Sequence, residues 1–428
     1  MWRPARRPRV GLEVNAVQRA TGIPAPWQAA VGPAWVEVDL DAIAENVRAT
    51  IALLPAACRL LGVVKANGYG HGALEVGRTA LQAGAAGLGV STVVEGLALR
   101  DGGILAPVLV FTPPWSADLD AALEAGLTVT VVSLEHARAV AAAAARRAGS
   151  AVAHIKCDTG MGRYGFDPQA LAAAAAALAD MDGILWEGVF THFARGADAR
   201  SARVQLHRFL AAIGAAESGG LRFSIRHAAA SGATIALPEA RLDMVRVGNL
   251  LYGERPAAGG SPVLRRAFAL RVQPAQIKDL VAGATVGYGS EWRARRPTRI
   301  AVLPIGYADG LDLVPAGPYR RPRTLVRALV RALLGALGLH RRLGAAIGDI
   351  EMGGRPVPVL GRVGMQQVTV DCSAIAPEVA RLPATIHLRP TTAGAHLARV
   401  YLRDGAVVGA STTLGSLRPE APASPAEA

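Results

Sequence analysis

Lysine is scarce in this 428-residue chain: Lys65, Lys156 and Lys278 are the three it has, so arginine supplies nearly all of the 46 basic residues. The net charge of +13 therefore follows a composition rich in Arg, Ala and Gly, and no nucleic-acid partner is expected from it. Where Arg generally stands in for Lys, a retained lysine marks chemistry that a guanidinium cannot do, such as forming a Schiff base. Cysteine is equally sparse. Cys58, Cys157 and Cys372 lie far apart, which excludes a disulfide framework and a zinc site and suits a reducing, cytoplasmic compartment. No apolar run approaches the roughly 18 residues of a membrane span, and the basic start MWRPARRPRV has no apolar stretch behind it, so neither membrane nor secretion is expected. Hydrophobic residues at 51% and charged residues at 18% describe a folded, globular chain long enough for two domains.

Residues 1–34 carry no sustained period and read as an irregular basic extension. Eight β-branched runs then alternate with Ala-rich stretches: Leu60–Lys65, Ala86–Val90, Pro107–Phe111, Leu127–Val132, Ala151–Cys157, Ile184–Phe190, Arg222–Arg226 and Leu242–Val247. His136–Ala148 and Gln169–Ala179 are typical of the helical stretches between them. Eight strands separated by helices predict a (β/α)8 TIM barrel over 35–260. A doubly wound sheet is the alternative, but no GxGxxG follows the first run. From 261 to 415 the runs shorten and Gly and Pro punctuate them, predicting a smaller, mainly β domain. Inside it, 319–347 holds seven arginines and no acidic residue, with Arg323, Arg327 and Arg331 on one stripe, predicting a helical insertion. Residues 416–428 read as a disordered tail.

The ends of the barrel runs carry the chemistry. The first ends in VVKANGYGHG around Lys65, the fifth in KCDTGMGRYGF from Lys156 to Phe166, and the sixth in THFA around His192. The seventh leads to His227 and Ser231, and the eighth to Arg246. Polar groups at the C-terminal ends of barrel strands face the ligand. A lysine there behind apolar residues is partly desolvated, which lowers its pKa and favours attack on a carbonyl cofactor. Each residue alone could be an ordinary cap or ion-pair partner. The group lacks the convergent carboxylates a metal requires, so no metal is expected.

The chain resembles alanine racemases of the pyridoxal-phosphate-dependent, barrel-plus-β-domain type. The motifs that carry the resemblance are VVKANGYGHG, KCDTGMGRYGF, THFA, DMVRVGNLLYG, VGYGSEW, PIGYADG and GRVGMQQ, in that order. The resemblance implies pyridoxal 5'-phosphate as cofactor, racemisation of L- and D-alanine for peptidoglycan, and a homodimer. It implies that Lys65 binds the cofactor aldehyde and is one base, and that Tyr288, reaching in from a partner subunit, is the other. Arg246 is then the residue facing the pyridine nitrogen, Arg163 the contact to the phenolic oxygen and to substrate, and His192 the link between Tyr288 and Arg246. Lys156 matches a position that is carbamylated in the family. Tyr69, Ser231, Gly248 and Asn249 match phosphate-binding positions, Met365 the substrate carboxylate position, and Tyr307 the entrance.

Several residues depart from the family pattern. Ala230 stands where an Asn precedes the phosphate serine, Asn249 replaces an aliphatic residue, and Gln366 replaces an aspartate. The Tyr-Glu pair whose tyrosine helps bind phosphate has no counterpart near Thr385–Arg389. These changes leave open a racemase acting on serine or a basic amino acid, and a non-catalytic PLP-binding paralogue. A related decarboxylase would carry an acidic residue where Arg246 stands.

Overall fold

A computed structural model of the chain describes residue 27 and residues 31–115, 117–254, 262–311, 349–388, 393–412 and 415–417. The extension before residue 27, the Arg-rich segment 319–347 and nearly all of the 416–428 tail lie outside the described residues. The chain divides into two units, Asp39–Phe268 and the described parts of Met1–Val38 with Ala269–Ala428.

The first strand, β1 (Ala34–Asp39), is followed by the eight strands of the larger unit. These are β2 (Arg59–Val63), β3 (Gly87–Val90), β4 (Val108–Val110), β5 (Thr128–Val131), β6 (Ala151–Lys156), β7 (Ile184–Phe190), β8 (Ile225–His227) and β9 (Met244–Val247). They pair in parallel in the order β8-β7-β6-β5-β4-β3-β2-β9. The two ends meet through a bridge between Ala230 and Arg246, the Arg246 N–H donating to Ala229 O at 2.9 Å. This is a nearly closed (β/α)8 barrel. Its strands are buried on both faces, which is why they read as near-continuous apolar runs. Helices occupy the intervals, among them Leu134–Arg146 capped by Ser133 and Pro168–Ala179 capped by Asp167.

The smaller unit is mainly β, with β10 (Phe268–Val272), β11 (Gln276–Leu280), β12 (Thr285–Val286), β13 (Trp292–Arg293), β14 (Thr298–Leu303), β15 (Asp349–Met352) and β16 (Arg355–Pro356). It continues with β17 (Val359–Leu360), β18 (Val368–Asp371), β19 (Ala384–His387), β20 (Ala398–Arg403), β21 (Ala406–Thr412) and β22 (Gly415–Leu417). One sheet runs β16-β15-β19-β10-β1-β20-β21-β22, a second β11-β14-β18-β17, and β12 and β13 form a hairpin.

The placement of β1 corrects the expectation that the barrel opens at residue 35. β1 lies between β10 and β20 in the smaller unit's sheet. Trp35 packs there with Val31, Ala398, Val400 and Ala410, and Glu37 pairs with Arg271 at 2.7 Å. The alternation of AWVEVD, half-buried at Glu37 and Asp39, suits a strand with two dissimilar faces, unlike β3, β5 and β9 of the barrel, which are buried throughout.

Candidate active site

The chain leaves β2 through Val64 and turns sharply at Lys65. Ala66, Asn67, Gly68 and Tyr69 follow in succession with φ of 51°, 50°, 64° and 54°. Left-handed backbone costs a residue with a side chain about 1–2 kcal/mol, so something must hold the turn. Glu95 does so from the start of the next helix, accepting the Ala66 N–H at 2.5 Å on one oxygen and the Ser91 and Thr92 N–H groups on the other. Asn67 accepts the Ala73 N–H at 3.0 Å. Beneath the turn, His71 stacks on Tyr252, whose hydroxyl donates to Val63 O at 3.1 Å. The result is a rigid mount for Lys65. Burial and the Arg163 charge push the pKa of its amine down, with Glu95 opposing.

Arg163 is positioned by an acidic hub. The Asp158 carboxylate accepts N–H groups from Gly160, Met161 and Arg163 at 2.8–2.9 Å, winding the DTGMGR loop around itself. Burial pushes the Asp158 pKa up, but these three donors outweigh it and hold the carboxyl below its ordinary value. Lys156, at the end of β6, is 1% exposed; its ammonium donates to Cys157 O at 3.1 Å and lies 5.3 Å from the centre of the Phe190 ring. Burial, then the Arg246 charge, lowers its pKa to about 7.

Arg246 is buried on β9. Its Nη1 donates to His227 O and Nδ1, and its Nη2 to Thr191 O and Ala228 O, all within 3.0 Å, with His192 Nδ1 a further acceptor at 3.4 Å. Burial lowers the guanidinium pKa to about 9, so it stays charged at neutral pH. Phe190 lies under it at 5.2 Å, a cation–π contact that partly offsets the burial. His192 is held neutral, its pKa lowered to about 3 by burial and then by Arg246, Arg163, Lys156 and Lys65.

Beside these groups is a cradle of small and hydroxyl residues. Ser231 Oγ accepts the Gly248 N–H at 3.2 Å, which leaves its own hydroxyl proton to donate. Gly248 has to be glycine: a Cβ there would lie 2.6 Å from the Tyr69 hydroxyl oxygen. Burial raises the Tyr69 pKa, keeping that hydroxyl a donor. Ala230 and Asn249 line the same space, Ala230 without a polar side chain.

One cavity of about 260 Å³ collects Lys65, Tyr69, Lys156, Arg163, His192, Ser231, Arg246, Gly248 and Asn249. Tyr288, Tyr307 and Met365 belong to the smaller unit. Tyr288 lies between Gly287 and Gly289 and is 80% exposed. Tyr307 and Met365 are neighbours, because Tyr307 N donates to Gly364 O and Ala308 N to Met365 O. Glu95 and Phe190 are contributors outside the motifs, and Asp158 lies inside KCDTGMGRYGF without a role read for it. The N-cap pattern Thr92–Glu95 was the one local signal, and it marks a helix start rather than a site.

Among the described residues no helix is long and apolar enough to cross a membrane, and no group of His, Cys, Asp and Glu could hold a metal. The arrangement defines a class: a barrel enzyme with a mainly β second unit, whose barrel cavity brings a lysine of lowered pKa together with other cationic groups. The alanine racemase N-terminal domain model matches residues 38–256 and the alanine racemase C-terminal domain model matches 267–325. The alanine racemase of Desulfosudis oleivorans is 39% identical over 81% of this chain and 85% of its own length. That of Symbiobacterium thermophilum is 38% identical over 83% and 93%. Among solved structures, alanine racemase from D-cycloserine-producing Streptomyces lavendulae aligns with a TM-score of 0.74 at 30% identity, covering 87% of this chain and 97% of its own. The Bacillus anthracis alanine racemase with bound L-Ala-P aligns at 0.75 and 28%, over 89% and 98%. The chain belongs to the alanine racemase family.

The family's cofactor is pyridoxal 5'-phosphate, and the cavity suits it. After the bonds of Nη1 and Nη2, the Arg246 Nε–H has no protein partner among the described residues. It is a donor suited to an unprotonated ring nitrogen. The Tyr69 and Ser231 hydroxyls, beside a Gly248 that a Cβ would crowd, suit a phosphate, and the Lys65 amine suits an aldehyde.

Proposed function

We propose that this chain racemises alanine by a two-base mechanism, with Lys65 and Tyr288 serving opposite faces of the substrate's α-carbon. Interconversion of L- and D-alanine with pyridoxal 5'-phosphate is the activity of the family to which the chain belongs. The observation that carries the residue assignment is a lysine of lowered pKa in the same cavity as the Arg246 Nε–H.

When bound, the cofactor supplies an aldehyde for the lysine and an electron-withdrawing ring that acidifies the substrate's α-hydrogen. Lys65 holds the cofactor and, as an amine of lowered pKa, takes or returns the α-proton on its side. Arg246 donates a hydrogen bond to the ring nitrogen and cannot give up a full proton, so the ring stays uncharged and the outcome is limited to proton transfer at the α-carbon. Arg163 serves the phenolic oxygen and the substrate carboxylate. Tyr69, Ser231, Gly248 and Asn249 hold the phosphate. Met365 receives the substrate carboxylate, and Tyr307 lines the entrance.

With a pKa lowered to about 7, the buried Lys156 amine is partly in the neutral form that reacts with carbon dioxide, which supports its carbamylation; the carbamate would then orient Arg163. His192 accepts from Arg246 on Nδ1, so its proton lies on Nε2 and is available to the phenol of Tyr288. The high exposure of Tyr288 in the single chain supports a homodimer in which each subunit lends this residue to its partner. The three cysteines are free and buried, which fits a cytoplasmic enzyme supplying D-alanine to peptidoglycan.

The test is incubation of PLP-loaded protein with L-alanine in heavy water. Proton NMR follows loss of the α-hydrogen, and chiral chromatography follows D-alanine. Exchange with D-alanine formation is the expected result; absence of both overturns the reading.

A further inference from the structure

Behind Arg246 the barrel core holds a line of polar side chains that the proposed mechanism does not use. Arg246 Nη1 is 2.9 Å from His227 Nδ1. His227 Nε2 is 2.8 Å from His154 Nδ1, and His154 Nε2 is 3.0 Å from Glu187 Oε2. The line crosses the core on β9, β8, β6 and β7 in turn. Both imidazoles are buried. Glu187 ends the line away from Arg246, its side chain 35% exposed beside a small cavity shared with Arg59, Leu61, Leu109, Ile225 and Met244.

Barrel interiors are normally filled by branched aliphatic side chains, so two imidazoles there require accommodation. The backbone supplies it twice. Gly188 makes room for His154, since a Cβ at 188 would lie 2.7 Å from its Cε1. The β6–β7 register skips Glu187, with Ala153 opposite Trp186 and His154 opposite Gly188. That one-residue bulge turns the carboxylate to His154.

Donor chemistry fixes every proton along the line. Arginine can only donate, so His227 accepts on Nδ1 and carries its proton on Nε2. His227 then donates to His154 Nδ1, His154 carries its proton on Nε2, and Glu187 accepts it. An ionised carboxylate can only accept, so the two ends enforce one direction and one tautomer for both rings. The surrounding charges agree. Burial first, then Arg246, lowers the His227 pKa, with His154, Lys156 and Arg59 adding to it. His154 is lowered by burial, with Arg246 and Arg59 assisting and Glu187 opposing, while its hydrogen bond lowers the Glu187 carboxyl.

We propose that Glu187 is a positioning residue for racemisation: as the terminal acceptor of the line that starts on Arg246 it anchors His154 and His227 and so holds that guanidinium's remaining N–H toward the cofactor ring. The inference rests on the reading that Arg246 faces the ring nitrogen.

Two readouts test it, both on PLP-loaded protein. The first is long-range proton–nitrogen NMR of 15N-histidine-labelled protein. In the unsubstituted chain, His154 and His227 should both be protonated on Nε2 alone; a proton on Nδ1 of either overturns the proposal without any substitution. The second compares Glu187→Gln, which keeps an acceptor, with Glu187→Leu, which removes it. Glu187→Gln should keep both tautomers and stay within about three-fold of the original kcat. Glu187→Leu should leave the His154 Nε2–H without its acceptor, shift the visible absorbance of the bound cofactor, and lower kcat about ten-fold or more with little change in KM. Unchanged absorbance and kcat in Glu187→Leu, with both rings still protonated on Nε2, overturn the proposal and leave the reading of Arg246 standing. Changed tautomers with unchanged absorbance and kcat overturn both, because the line would then end on a guanidinium that does not touch the ring.

Discussion

The Glu95 carboxylate holds the N–H of Ala66, the residue after Lys65, at 2.5 Å. One side chain thus caps the helix Val93–Asp101 and pins the left-handed turn that mounts Lys65. Glu95→Ala frees the turn to relax out of a backbone region that Ala66, Asn67 and Tyr69 otherwise avoid. The expected cost is about 1–2 kcal/mol of stability, as for a lost cap with a charged hydrogen bond. Urea unfolding measures it, and a faster loss of PLP on dialysis should accompany it. Unchanged values in both would show that the turn holds without this contact.

Gly248→Ala tests the phosphate cradle. The new Cβ would come within 2.6 Å of the Tyr69 hydroxyl oxygen and 2.9 Å of its ring carbon. Displacing that ring should weaken PLP binding about ten-fold or more, in line with the 1–3 kcal/mol typical of overpacking. Fluorescence titration of the apoprotein with PLP checks this, and circular dichroism should remain unchanged.

The pH dependence of stability carries the signature of Lys156. Its folded pKa is about 7 against an ordinary 10.5, the amine being lowered by burial and then by Arg246. Between those values the unfolded chain holds a proton that the folded chain has released, so stability rises with pH across that window. It is lowest below pH 7, where the folded protein must carry the buried charge. Lys156→Met should flatten the rise. Unfolding at pH 7 and pH 9 in buffer free of carbon dioxide makes the comparison, and an equal rise in the variant assigns it to another group.

The two proposed bases separate by experiment. Lys65→Ala should abolish the visible absorbance of covalently held cofactor. Tyr288→Phe should keep that absorbance and slow racemisation from the L-isomer by roughly two orders of magnitude or more. A normal rate in Tyr288→Phe would remove the phenol from the mechanism.

The eight barrel strands were legible in the sequence because each is buried on both faces, and so is written as a short apolar run bounded by polar residues. The observed β6 and β7 match their runs to within a residue. Their C-terminal ends bring Lys65, Lys156, His192 and Arg246 to one cavity, because the ends of parallel barrel strands share one face. The partner of β1 was not legible. A strand's pattern states how its faces are solvated and not which strand lies beside it, so Ala34–Asp39 could equally have opened the barrel. The supporting residues were hidden for a related reason. Glu95 acts from 29 positions beyond Ala66, and His154 meets His227 across 73. A spacing rule detects pairs on one element, whereas these meet only after the barrel closes.

The position of β1 has a consequence for how the chain is made. The ribosome releases β1 before any of the barrel, yet in the finished sheet it is flanked by β10 and β20. The uninterrupted stretch Asp39–Phe268 forms one compact unit and is complete long before β20 is made. At about 5–20 residues per second, β1 then waits on the order of 20–70 s for its last neighbour, and the edge that β20 will cover stays open throughout. Nascent chains of this protein thus carry an unpaired strand through most of their synthesis. Loss of β20 by early termination would leave that edge permanently free to pair with another chain.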